Sequence, residues 1–541
     1  MRVLTIFLVT LATALAAQAD RPNVSGGPLI PEQAAIDVQH YDLTLAVDPE
    51  RKRIDGVLVM RAKVLAELAN AVLDLDERLR VAKVAVDGAP AEFTHTDGRV
   101  RVALPQPKAA GDAVEVAITY GGEPRQAPRP PWDGGFTWET TRSGEPWIAT
   151  SCQGEGADLW WPCKDHPSDK PETMDLHITV PHGLVCASNG TLAGERDRDA
   201  VTTFDWHLAN PIANYCVALN IGPYETLKET FHSVSGDDVP VFFWVLPENV
   251  RRAKKALPEF LDHLAQLEEV AGPYPFRNEK YGIVETPHLG MEHQTIIAYG
   301  NRYRHQRFDY DWLHHHEMSH EWWANLVTCR DWKDMWIHEG IGTYMQALYL
   351  ESRRGRDAYD FEMAHNRRSL GNRRPVAPRE VRDSKQIYFG ADGRHDNDIY
   401  YKGSWVVHTL RWVLGDETFF EVLRRWAYPD PEKEKVTDGS QVRFSDTEEI
   451  RRITEQVSGM ELGWFFEVYL RQPELPELEA EANNGELHLR WRVPGGLPFP
   501  MPVPVRIGEQ MQRVEMPDGT AVVELNGAPW TVDPQALLLR K

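Results

Sequence analysis

His316-Glu317-Met318-Ser319-His320, followed after eighteen residues by Glu339, is the stretch on which the reading of this chain turns. Histidines at i and i+4 lie one turn apart on the same face of a helix, so their imidazoles converge on one point. Glu317 sits between them and reaches that point without being a ligand. Glu339 comes from a second helix and completes a His/His/Glu set. These donors suit zinc and leave a fourth position open, which a catalytic site needs and a structural site lacks.

A lone His-Glu-x-x-His also arises by chance, as two core or surface histidines beside a solvated glutamate. Three neighbouring features argue for the metal. Glu339 lies in Trp336-Ile337-His338-Glu339-Gly340, an apolar helical stretch where a buried carboxylate needs a partner. Leu289-Gly290-Met291-Glu292-His293 precedes the metal stretch, and Tyr400-Tyr401-Lys402-Gly403 follows it at a helix start. His314 and His315 fall on other helix faces and receive no role.

Outward from this centre the chain is helical. Val250 to Val270 reads as a helix that stops before Gly272-Pro273. A second starts near Asp334, carries Ile341, Tyr344 and Leu348 on one face, and ends with Arg353, Arg354 and Gly355. Another runs through Val406, Leu410 and Val413 to Gly415, with Asp416 expected to cap the next. Pro429 to Gly439 is a charged loop.

The first two hundred residues alternate with a period of two, as in Tyr41, Leu43, Leu45, Val47 and in Val114, Val116, Ile118, Tyr120. Pro124 to Trp132 is a proline-rich loop, read as a rigid connection or an interaction motif. Strands return from about Pro473: Asn484-Gly485 turns a hairpin into Leu487, Leu489 and Trp491, and Pro517-Asp518-Gly519 is expected to turn a second.

The 541 residues carry 42% hydrophobic and 26% charged side chains, as soluble globular domains do. A net charge of -22 argues against nucleic acid and anionic membranes, and suits substrates with a positive group such as a free amine. Residues 1–19 read as a secretory signal, with Arg2, an apolar run from Leu4 to Ala17, and Ala17-Gln18-Ala19 as cleavage site. An uncleaved anchor is the rival reading. After cleavage no membrane span remains, so the protein is expected to be periplasmic or extracellular. Five cysteines leave an odd one, and Cys152 with Cys163 is the pairing open to an oxidising compartment.

The combination resembles the gluzincin aminopeptidases of the aminopeptidase N and leukotriene-epoxide hydrolase family, from about residue 35 to the end. Beyond the metal signature, the resemblance rests on Leu289–His293, Tyr400–Gly403, Ser151-Cys152-Gln153, Trp161-Pro162-Cys163-Lys164-Asp165 and Gly272-Pro273-Tyr274-Pro275-Phe276. It implies a multidomain α+β fold. A saddle-like β domain would span residues 20–222, a thermolysin-like, mainly helical zinc domain 223–472, and a small β-sandwich-like domain 473–541. The large C-terminal helical domain of many relatives is not expected.

The same resemblance implies the site. His316, His320 and Glu339 hold one zinc ion. Glu317 polarises its water and shuttles the proton, and Tyr400 stabilises the oxyanion, with Tyr401 as the adjacent competitor. Glu292 takes the substrate's α-ammonium, with Gln153 in the same corner. Gly290 lies beside the peptide backbone, Met291 lines the first-residue pocket, and His293 stands where asparagine is usual. A histidine there is expected to add an acid-side loss of activity. His338 likewise replaces a common asparagine. The implied activity is removal of single N-terminal residues from peptides; epoxide hydrolysis at the same zinc and a non-catalytic peptide scaffold are the alternatives. The preferred first residue and the oligomeric state are not legible.

Overall fold

The computed structural model describes residues 24–305, 308–390 and 393–541. Residues 1–19, read as a secretory signal, lie outside them. No helix among the described residues is long and apolar enough to cross a membrane.

The N-terminal part is β-rich. Its largest sheet has eight strands, and at its centre Ile36–Asp48 runs antiparallel to Arg53–Val64 and parallel to Thr173–Pro181. The period-two alternation has the expected effect: Tyr41, Leu43 and Leu45 are fully buried, facing Met60, Leu58 and Gly56 across the pair. Gly56 is small because a Cβ there would lie 2.8 Å from Leu45 Cδ1. A four-stranded sheet includes Gly135–Thr140 and Pro146–Ser151, paired with Ser151 opposite Gly135. That strand leads to Gln153, which lines a large cavity. The proline-rich loop beside it contributes Arg125, Arg129 and Trp132 to the same cavity wall.

Next comes a five-stranded sheet that the alternation of the sequence does not reveal. Its strands Tyr281–Glu285 and Ile297–Tyr299 are short and buried on both faces, so they lack a polar side. Its edge strand Gly290–Met291 pairs antiparallel with Ile297–Tyr299.

Helices lie between and after the strands of this sheet. Val250–Ala271 ends at Gly272, Trp312–Ser319 carries the first metal-set histidine, and Trp336–Arg354 ends at Gly355 with φ 86°. Asp311 caps the second of these, accepting from the His314 N–H at 3.2 Å. Asp398–Leu414 ends at Gly415, and Asp416–Ala427 follows. Here Gly415, not Asp416, is the cap residue; the Asp416 carboxylate instead accepts from Arg411 Nε at 2.8 Å.

Two three-stranded sheets lie at the C-terminal end. Glu477–Asn483 and Glu486–Arg492 form the expected hairpin, with Asn484 and Gly485 both at positive φ (50° and 85°). Pro517-Asp518-Gly519 does not turn a hairpin. Gln510–Val514 before it pairs with Val503–Ile507, and Thr520–Glu524 after it pairs with Glu486–Arg492, so this turn crosses between the two sheets. All five cysteines are buried and none is in a disulfide, so Cys152 and Cys163 are not joined.

Candidate active site

The metal set is built by two helices and a sharp chain reversal. His316 lies in Trp312–Ser319, and His320 is its C-terminal cap. The chain then leaves helical geometry at Trp323 and Ala324, which brings the Trp323 carbonyl to 3.0 Å from His320 Nδ1. That contact directs Nε2 inward. His320 Nε2 lies 3.3 Å from His316 Nε2, and each nitrogen lies 3.5 Å from Glu339 Oε2. Donors about 2.1 Å from a tetrahedral metal stand about 3.4 Å apart, so this set fits zinc. Among the described residues it is the one group of three His, Cys, Asp or Glu side chains with such convergence.

The electrostatics point the same way. Burial opposes a charge on His320, yet Glu339, Glu292 and Glu317 raise its pKa to about 10. Burial pushes Glu339 up, but contact with His316 and the charge of His320 outweigh it and hold the carboxyl well below its usual range. Glu339 thus keeps its negative charge beside the two imidazoles, which favours a dication there.

Glycines set the approach of the parts. A Cβ on Gly340 would lie 2.9 Å from Gly403 Cα, and one on Gly403 would lie 2.8 Å from Gly340 Cα. Trp336–Arg354 and Asp398–Leu414 therefore cross at backbone contact, which carries Tyr400 toward Glu339 and His316. The Tyr400 ring lies 6.2 Å from that of His316. Tyr400 is kept protonated, its pKa raised well above the usual phenol by burial and the nearby Glu339 charge. It is a donor at any working pH. Lys402, in the same segment, donates instead to the carbonyls of Gln472 and Pro473 at 3.0 and 2.9 Å, which fastens the helix.

His316, His320, Glu339 and Tyr400 face a cavity of about 1060 Å³, whose wall also includes Gln153, Gly290, Met291, Glu292 and Glu317. Glu317 has its pKa raised well above the carboxylate range, first by burial and then by Glu292, as suits a proton acceptor that must later donate. Gly290 backs it: a Cβ there would overlap the Glu317 carboxylate and lie 2.8 Å from Leu313 Cδ1.

Glu292 is the centre of a second corner. Its Oε1 accepts from Gln153 Nε2 at 2.5 Å and from the Tyr215 hydroxyl at 3.0 Å. Its backbone carbonyl accepts from Asn325 Nδ2 at 3.1 Å. Burial raises its pKa, so a cation beside it is what restores its charge. Tyr388 adds a link: its hydroxyl lies 3.3 Å from Gln153 Oε1 and 3.4 Å from the Tyr400 hydroxyl. Tyr215, Asn325 and Tyr388 were not anticipated from sequence. Each belongs to a short or irregular segment with no periodic pattern.

His293 is not in the cavity wall. It is fully buried, neither ring nitrogen has a partner, and burial lowers its pKa to about 3. His293 thus follows Glu292 in sequence but lies outside the cavity wall, with its ring held neutral by burial. His338 also faces inward, accepting from the Cys329 N–H at 2.9 Å. His314 meets His263 at 2.9 Å and His315 meets Gln266 at 3.2 Å, both away from the metal set.

Comparison with known proteins gives a consistent set of relatives. The model described as "Peptidase family M1 domain" matches residues 278–438, and "Peptidase M1 N-terminal domain" matches 37–216. "Leucine aminopeptidase 2" of Chaetomium globosum is 23% identical over 87% of this chain and 79% of its own length. "Leukotriene A-4 hydrolase" of Xenopus laevis is 26% identical over 57% of this chain and 51% of its own. The chain thus spans only about half the length of several of the curated relatives it matches. A crystal structure of a mutant M1 zinc metallopeptidase from Deinococcus radiodurans, bound to a Tyr-Ser-Ala substrate, superposes with a TM-score of 0.68 at 24% identity. It covers 84% of this chain and 98% of that one, a likeness of fold.

Proposed function

The chain belongs to peptidase family M1, and on that premise we propose that it is a zinc-dependent aminopeptidase releasing single N-terminal residues from peptides. The observation that carries the reading is Glu292, held by Gln153 and Tyr215 in the same cavity as Glu317 and the His316, His320, Glu339 set. A carboxylate there receives the substrate's α-ammonium and fixes the distance from the free N-terminus to the metal. The relatives named as aminopeptidases support it, as does the substrate tripeptide in the Deinococcus structure. In finer detail, we read the N-terminal sheets as saddle-like, the helical region as thermolysin-like and the C-terminal sheets as a small sandwich. The signal-like composition of residues 1–19 supports work in the periplasm or outside the cell.

His316, His320 and Glu339 would hold zinc, which when bound would supply Lewis acidity for activating water and polarising a carbonyl. Glu317 accepts the proton of the attacking water and returns it to the leaving amine. The Tyr400 hydroxyl donates to the oxygen that gains charge on the carbonyl. Gly290 keeps the Glu317 carboxylate in place by presenting no side chain to it. Gln153 and Tyr215 share one oxygen of Glu292, which leaves the other for the ammonium.

Purified protein assayed on aminoacyl anilides, with and without an N-acetyl block, tests this reading. Cleavage of free-amine forms only, abolished by a chelator, is the expected result. Cleavage of blocked forms would discard the amine anchor, and no cleavage by folded, zinc-loaded protein would discard the peptidase reading.

A further inference from the structure

The geometry points to Tyr388 as a positioning residue that ties the amine corner to the oxyanion donor, an inference that rests on the aminopeptidase reading above. Tyr388 ends the short helix Ser384–Tyr388, which is fastened from several sides. Asp383 and Gln386 form a capping box at its start. The Ser384 N–H donates to the Ser25 carbonyl at 3.0 Å, and its hydroxyl donates to the Gly154 carbonyl, next to Gln153. The His395 ring lies parallel to that of Tyr388, 6.1 Å away. The phenol is therefore held where its hydroxyl meets Gln153 and Tyr400.

The donors in this chain can be ordered by what each group is able to do. Once an ammonium beside it keeps Glu292 ionised, its carboxylate only accepts, so the Gln153 group 2.5 Å from Glu292 is its NH₂. The Gln153 carbonyl then faces Tyr388 and can only accept, so the single Tyr388 proton goes to it. The Tyr388 oxygen remains to accept from Tyr400. The order is Tyr400 to Tyr388 to Gln153 to Glu292, reaching from the oxyanion donor to the ammonium anchor. The first link, at 3.4 Å, is long for a hydroxyl pair, so Tyr400 is aimed but free to turn to substrate. One hydroxyl thus holds the Gln153 amide against flipping and the Tyr400 hydroxyl in its resting direction.

Removing that hydroxyl with Tyr388→Phe is expected to lower kcat and raise KM on leucine anilide, each by roughly three- to tenfold, the value of a hydrogen bond of this kind. The two losses should separate by background. The kcat loss should vanish when Tyr400 is already phenylalanine, and the KM rise should vanish when Gln153 is already alanine. A purely structural role gives the same losses in every background, which would overturn the inference, as would wild-type kinetics in the single variant. Calorimetric titration of the zinc-loaded protein with free leucine gives a readout without catalysis: its Kd should rise by the same factor as KM. A wild type that cleaves no anilide overturns the peptidase reading, and the titration then decides this one: leucine affinity that is absent, or unchanged by Tyr388→Phe, overturns the role of Tyr388.

Discussion

The metal corner takes all its side chains from residues 316–339, whereas the amine corner gathers Gln153, Tyr215, Glu292 and Tyr388 from segments as much as 235 positions apart. The first is held by backbone: two helices meet at Gly340 and Gly403, and a reversal at Trp323 orients His320. The second is held by side-chain hydrogen bonds, each worth about 0.5–1.5 kcal/mol net, or more where a charge takes part. Failures in the two corners should therefore differ in kind. Damage to the metal corner should remove turnover, while damage to the amine corner should relax the choice of substrate.

The largest effect should come from the metal set. His320→Ala or chelation should abolish activity, with zinc content measured by atomic absorption falling in parallel. Glu317→Gln should keep the zinc and lose on the order of a hundred- to ten-thousandfold in kcat, the usual range for a general base. Gly290→Ala comes next. Its Cβ would displace the Glu317 carboxylate, and a misplacement of about 1 Å costs on the order of a hundredfold. Its circular dichroism and zinc content should match wild type; unimpaired kcat would show that Glu317 is not so placed.

A smaller loss should follow Glu292→Gln. Replacing a charge-assisted contact to an ammonium should cost about 1.5–3 kcal/mol, or roughly ten- to a hundredfold in kcat/KM, on free-amine substrates. The ratio of free-amine to N-acetyl rates should collapse toward one; an unchanged ratio would break the contrast between the corners.

These expectations show which parts of the molecule the sequence could announce. The metal corner is legible because a helix repeats every 3.6 residues, so i and i+4 spacing is already geometry. Gly340 and Gly403 were visible as members of quoted motifs, although their mutual contact was not. The buried strands Tyr281–Glu285 and Ile297–Tyr299 were missed because both faces are apolar, which erases the alternation that marks a half-exposed strand. Tyr215 and Tyr388 were missed for another reason. Their roles come from contacts across 77 and 235 positions, which no local pattern encodes. His293 differs from its neighbour: Glu292 lines the cavity, whereas the His293 side chain is fully buried outside its wall, a distinction no local pattern encodes.

His293 also supplies the smallest expected effect on rate. Burial holds its folded pKa at about 3, below the ordinary histidine value of 6.5. The unfolded chain therefore binds a proton that the folded one refuses. Stability from the neutral ring is fully present above pH 6.5 and is lost progressively as pH falls toward 3. His293→Asn should leave the pH–rate profile unchanged, and should make the fall of unfolding free energy in that window shallower by about one proton. An altered acid limb of the rate profile would place His293 at the substrate site.

On the proposed function, the amine corner measures one residue from the metal corner. Digestion of a free tetrapeptide of four different residues, followed over time by mass spectrometry, tests it most directly. Stepwise loss of single residues from the N-terminus is expected, with the tripeptide appearing before the dipeptide. Release of an intact N-terminal dipeptide, or equal cleavage of the N-acetylated tetrapeptide, would contradict it.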